Sequence, residues 1–114
     1  MADYAVLTVD QGTDTVIQIE VIDSNKAPMD LTGYSAVAKF KRSYNSTDSN
    51  SFECSIDSPA TSGLVNLTLD GYVTNAIKAG KYVYDVELKR GSITERILEG
   101  PLEISPSVTK SDVF

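Results

Sequence analysis

The chain reads as an all-β sandwich of about seven antiparallel strands with one short helix near residues 71–79. Three observations give that class. Apolar residues recur at every second position through most of the 114 residues. Clusters of Ser, Asn, Asp, Pro and Gly punctuate these runs at a spacing of roughly 8–12 residues, as between the strands of a sandwich. Only one segment shows the three-and-four spacing of a helix.

The elements follow in order. "YAVLTV" (4–9) is the first strand. "DTVIQIEVID" (14–23) places Ile17, Ile19 and Val21 on one face and Val16, Gln18 and Glu20 on the other, the alternation of a half-buried strand. "SNKAPMDLTG" (24–33) is a connection, because its residues set turn dihedrals or bond their own backbone. "YSAVAKFKR" (34–42) alternates again, with Ala36, Ala38 and Phe40 inward and Val37, Lys39 and Lys41 on the wet face. "SYNSTDSNS" (43–51) is the most polar stretch and reads as an exposed loop. "FECSID" (52–57) and "LVNLTLD" (64–70) bury Phe52, Cys54 and Ile56, and Val65, Leu67 and Leu69. In "GYVTNAIKAG" (71–80), Val73, Ala76 and Ile77 suit about two helical turns closed by Gly80.

"KYVYDVELKR" (81–90) carries two tyrosines, two acids and three bases within ten positions. Strand alternation sends Tyr82, Tyr84, Val86 and Leu88 one way and Val83, Asp85, Glu87 and Lys89 the other. Tyrosines and acids therefore cannot share a site. The final run, "SITERILEGPLEIS" (92–105), is expected to break at Gly100–Pro101, as at a bulge or a change of sheet. These elements form one domain over residues 1–105, followed by a tail at 106–114.

Composition excludes several classes of function. The longest apolar runs are too short to span a bilayer, so no membrane role is expected, and the amino terminus lacks the basic start and apolar stretch of a secretion signal. Sixteen acids against ten bases give a net charge of −6, and "KFKR" (39–42) is the sole basic cluster, which disfavours nucleic acid. With no histidine the usual nucleophile and general-base machinery is missing, so no enzyme activity and no catalytic residue is expected. The single Cys54 forms no internal disulfide and no cysteine zinc site.

Asp85 and Glu87 share a strand face, but a solvated pair of that kind reads as solubility rather than acid–base chemistry. "VDQGTD" (9–14) and "DSNKAPMD" (23–30) gather oxygen ligands in turns without matching the calcium-loop spacing. Asp14 is expected to cap a turn and Asp30 to bond its own backbone, with no metal and no cofactor. Sequons at Asn45 and Asn66 read as chance, the first marking an exposed loop.

Two stretches carry a resemblance. "DQGTDTVIQIEVIDSNKAPMDLTGYSAVAKFKR" and "SGLVNLTLDGYVTNAIKAGKYVYDVELKRGSITERILEG" resemble the opening and closing halves of immunoglobulin-like domains in structural proteins of tailed bacteriophages, such as the amino-terminal domain of the upper baseplate protein of lactococcal-type phages. The motifs are "DLTGY" and "GKYVYDVEL", and the similarity covers about residues 10–105. Asn25 and Lys26 depart from it where a glycine is common, and no stalk follows the domain. The resemblance implies an immunoglobulin-like sandwich acting as a non-enzymatic virion protein of tail, neck, baseplate or capsid, made in the bacterial cytoplasm. Its implied partners are other phage structural proteins and copies of itself.

The contact candidates are the terminal segments, through Tyr4, Val6, Val108, Val113 and Phe114, which suit a sheet edge or a neighbour's pocket; the tail would be an assembly arm. An alternative is a carbohydrate- or host-receptor-binding module using the loops at 43–51 and 58–63, with Tyr44, Asn45, Asp48 and Asn50 at the tip. An accessory hydrolase domain is the third reading, disfavoured by the missing histidine.

Overall fold

The computed structural model describes residues 3–47 and 49–107. Its strands are β1 (Asp3–Tyr4), β2 (Leu7–Asp10), β3 (Thr15–Glu20), β4 (Ser35–Lys41), β5 (Asn50–Ser51), β6 (Glu53–Ile56), β7 (Leu64–Leu69), β8 (Gly80–Arg90) and β9 (Ile93–Ser105), with one helix, α1 (Gly71–Ala76). They form two sheets. The larger runs β1–β9–β8–β4–β5, with β2 following β1 along the same side of β9, and the smaller runs β3–β7–β6.

This is an immunoglobulin-like sandwich by strand order: a parallel first segment beside the last strand in one sheet, and β3 and β7 paired antiparallel in the other. A tyrosine corner supports the same reading. At the entry to β8, the Tyr82 hydroxyl donates to the Lys78 carbonyl four residues upstream at 2.6 Å.

The alternations of the sequence are the inner faces. Ala36, Ala38 and Phe40 on β4 lie opposite Leu88, Val86 and Tyr84 on β8, and Ile17 and Ile19 on β3 opposite Leu67 and Val65 on β7. Phe40, Leu67, Leu88, Leu102 and Ile104 are essentially inaccessible. Each such side chain contributes about 1.5–3 kcal/mol of burial. The Phe40 ring meets Phe52 at 5.2 Å and Tyr82 edge-on at 5.5 Å, filling the width between the sheets.

Several expectations are corrected. "YAVLTV" is two short segments rather than one strand, and both run parallel to β9. The helix stops at Ala76, short of Gly80, which opens β8. Its anchor is Thr74, fully buried, while Ala76 is exposed. The Thr74 hydroxyl accepts from the Gly12 amide at 2.9 Å and lies 3.1 Å from the Thr13 carbonyl, fastening α1 to the turn before β3. Asp14 does not cap its own turn; its carboxylate accepts from the Gly71 amide at 2.6 Å, at the start of α1. Cys54 is half-buried on β6.

The final strand neither breaks nor changes sheet at Gly100–Pro101. β9 runs through, and its bulge lies earlier: Val86 pairs with Leu98 but Glu87 with Arg96, leaving Ile97 as the extra residue. What Gly100 and Pro101 do is accommodate the amino-terminal strand. By the register of β1 and β2 on β9, they lie beside Ala5 and Val6, the two residues between those segments. A Cβ on Gly100 would stand 2.2 Å from the Ala5 carbonyl oxygen, and its φ of +154° also favours glycine. Pro101 has no N–H to leave unpaired in this gap. The Ala5 amide donates to the Glu99 carbonyl at 3.0 Å, and the Ala5 carbonyl accepts from the buried Tyr84 hydroxyl at 2.8 Å.

Tyr84→Phe should therefore lower unfolding free energy by about 1–2 kcal/mol, the cost of leaving a buried carbonyl without its donor. Urea unfolding checks this, and an unchanged midpoint would remove Tyr84 from this role. Thr74→Val, which strands the Gly12 amide, should cost a similar ~1–3 kcal/mol by the same measurement.

Candidate interaction surfaces

Both motifs that single out this sequence are absorbed by the fold. In "DLTGY", the Asp30 carboxylate accepts from the Thr32 hydroxyl at 2.6 Å and the Thr32 amide at 3.0 Å, which holds its pKa below the ordinary carboxylate value. Asp30 thus bonds its local backbone, as expected. Leu31 is buried and its amide donates to the Ala60 carbonyl at 3.0 Å. Gly33 takes φ +82°, and the Arg90 guanidinium lies 4.8 Å over the Tyr34 ring. In "GKYVYDVEL", Tyr82 and Tyr84 point inward, each committed to a backbone carbonyl.

The acids of that strand lie on the outer face, as alternation predicts. Arg96, from β9, reaches Asp85 at 3.5 Å and Glu99 at 3.7 Å, and all three side chains are solvent-accessible. A pair of this kind contributes little to stability. Among the described residues no group of three or more His, Cys, Asp or Glu is placed to hold a metal. The Asp23 carboxylate accepts from the Asn25 and Ala27 amides, at 2.8 and 3.1 Å, in a turn where Lys26 has φ +62°. Asn66 is part-buried, with its amide donating to Asp57 at 2.8 Å.

The two loops proposed as one recognition site are at opposite ends of the sandwich. β4 ends beside the start of β8, so the loop from 43 lies at the α1 end. β6 ends and β7 begins at the far end, where residues 60 and 63 bond Leu31 and Val21. A joint surface is therefore excluded, and each loop stands alone. At the first, Tyr44 is 72% exposed, Asn45 is exposed and Asn50 is half-buried in β5. The loop is drawn in by Ser43 and Ser46, whose backbone and hydroxyl groups bond each other at 3.1 Å. Arg42 lies 4.9 Å over the Tyr82 ring behind it. Asp48 lies outside the described residues.

Of the terminal candidates, Tyr4 and Val6 are 73% and 63% exposed along the β1–β2 edge. Val108, Val113 and Phe114 lie outside the described residues.

One hollow leaves little trace in the sequence. A groove of about 520 Å³ opens between the end of β3 and the bulged part of β9. Ile19, Val21, Ile22, Met29, Ile97 and Leu98 give it apolar walls, and Asp3, Glu20, Glu95 and Arg96 a charged rim. One sign of it was printed in the sequence: adjacent Ile97 and Leu98 break strict alternation, as an inserted bulge residue does.

No family model matches the chain, and no curated protein does. Solved structures of similar backbone do exist. They include Listeria monocytogenes InlP, with 10% identity and a TM-score of 0.46 over 93% of this chain and 28% of that one. The Lin-41 filamin domain has 16% identity and a TM-score of 0.44 over 85% and 81% of the two chains. The cysteine protease inhibitor EhICP2 of Entamoeba histolytica has 15% identity and a TM-score of 0.40 over 92% and 88%. This chain thus spans little more than a quarter of the Listeria protein.

Burial, with a smaller push from the nearby Tyr4 phenol, raises the Tyr84 pKa from 10.0 to about 12. The fold favours the protonated phenol, so this stabilisation is complete below pH 10 and is lost as pH rises through about 12. The urea-midpoint difference between the unmodified chain and Tyr84→Phe should therefore hold up to pH 10 and shrink above it. A difference that grows with pH would contradict the assignment.

Proposed function

We propose that this protein is a non-enzymatic structural component of a tailed-bacteriophage virion, in the tail, neck, baseplate or capsid surface, acting through protein–protein contacts. Its place in a virion rests on the sequence resemblance. Its mode of action is supported by one structural observation: the side chains most suggestive of chemistry are spent on the fold, while several large apolar side chains stay exposed. Tyr82, Tyr84 and Asp30 bond backbone or neighbouring groups. Tyr4, Val6, Val16 and Ile22, by contrast, are 48–73% exposed on β1, β2, β3 and their continuations.

On this reading the partners are other virion proteins and copies of the chain itself, and the protein functions in the virion after synthesis in the bacterial cytoplasm. Rigid sheets hold the contact surface in shape, and no bond is made or broken.

Thermal unfolding against panels of glycans and divalent cations, alongside light scattering of the purified chain at rising concentration, tests this. The expected result is no change in Tm with either panel and a defined oligomer at high concentration. A glycan that raises Tm by several degrees would replace this reading with a receptor-binding module, since a ligand of the folded state alone must stabilise it.

A further inference from the structure

We propose that the outer edge of β3 and the groove beside it receive an extended segment of a partner protein, one in which apolar residues alternate with polar ones and lysine or arginine lies close to an apolar anchor. The segment adds to the smaller sheet as a fourth strand. This stands on the sheet edge and the groove and does not depend on the virion reading.

The first support is the edge itself. Among the described residues β3 pairs with β7 on one side and with no strand on the other. The ladder tells which backbone groups that second side offers. The Val21 amide donates to the Gly63 carbonyl at 2.7 Å, next in register after the Glu20–Leu64 pair, so residue 21 turns its amide toward β7. Bonding alternates along an antiparallel strand, so Ile17 and Ile19 also face β7, while Val16, Gln18 and Glu20 direct their amides and carbonyls away from it. These groups are the template that strand addition uses.

The second support is the space beneath that edge. Phe52, whose amide donates to the Ala38 carbonyl of β4, leads directly into β6, so the smaller sheet begins over β4. By strand order β7 then lies over β8 and β3 over β9, and β1 and β2 extend beyond as a shelf. A strand added to β3 lies over that shelf. The inner-face residues Ile17 and Ile19 are only partly buried, whereas Leu67 and Val65, opposite them on β7, are fully buried. The groove of about 520 Å³ opens at the end of this uncovered side, where an inward-facing apolar side chain of the added strand is enclosed.

The rim gives the partner its charge. Asp3, Glu20 and Glu95 line the groove, and among the described residues none of the three carboxylates has an ion-pair partner. Arg96, the cation beside them, already spans Asp85 and Glu99. A basic segment therefore meets unpaired acids at close range and is steered toward them by the net charge of −6. A second copy of the chain fits this edge poorly, because it brings the same acids and its own overhanging β1 and β2.

Residue-resolved amide exchange on the full chain, followed by selection of displayed short random peptides on it, tests the proposal. In the monomer alone the amides of Val16, Gln18 and Glu20 should exchange openly. Enriched peptides should alternate Val, Ile or Leu with polar residues and carry Lys or Arg, and at saturation should slow those three amides at least tenfold. Val16→Pro removes one outward amide without touching the β7 ladder, and the double variant Glu20→Lys with Glu95→Lys reverses the rim through exposed side chains. Each should weaken the selected peptide at least tenfold, with exchange in β7 and β8 showing that the sandwich is intact. No enrichment, enriched peptides without basic residues, or equal binding to both variants would overturn it. Protection of the three amides in the unbound monomer would also overturn it, assigning the edge to the chain itself, and protection that appears only on dimerisation would assign it to a second copy instead.

Discussion

The hydrogen bond from the buried Tyr84 hydroxyl to the Ala5 carbonyl, at 2.8 Å, decides how the first strand lies. It can form because Gly100 carries no side chain where the Ala5 carbonyl crosses β9. A donor on β8, a gap on β9 and an acceptor on the incoming strand meet at one point, linking three neighbouring strands. With Ala5 fixed there, both β1 and β2 remain on the larger sheet. Among the described residues the smaller sheet then has three strands, β3 is paired on one edge, and the groove lies between the end of β3 and the β9 bulge. The two surfaces of interest are thus consequences of one buried polar contact.

Much of this architecture was legible in the sequence because alternation reports directly on which face is buried. The inward sets on β4, β7 and β8 are those the period of two picks out. The position of Gly100–Pro101 was also visible as an irregularity, but its meaning was not. A glycine–proline pair marks a place where a regular ladder is disturbed, and sequence alone does not distinguish a broken strand from a strand that makes room for another. Periodicity carries the helix too far because Ile77 continues the apolar spacing, although its backbone is already extended at φ −92° and ψ 131°. Turn chemistry suggests a local partner for Asp14, whereas its carboxylate accepts from an amide 57 residues away. Pairings of that range leave no periodic trace.

The candidate site was legible in part. Tyr4, Val6, Tyr44 and Asn45 are exposed, as their positions imply. Combining the loops at 43–51 and 58–63 failed because alternation gives faces but not strand directions, and directions decide which loops share an end. The groove depends on two sheets and a bulge meeting, so it belongs to tertiary structure. The densest cluster of reactive-looking residues, in β8, is a structural spine: its tyrosines bind backbone and its acids are solvated. Chemistry-bearing residue types close in sequence are separated by the pleat before they can cooperate.

The most direct test of the account is a double-mutant cycle between Tyr84→Phe and Gly100→Ala, read by urea unfolding. If both residues act on the Ala5 carbonyl, the alanine displaces the acceptor, and losing the hydroxyl then adds little. The double variant should fall short of the sum of the single losses by about 1 kcal/mol. Strict additivity would show that the two residues act independently and would contradict the claim that one polar contact seats the first strand.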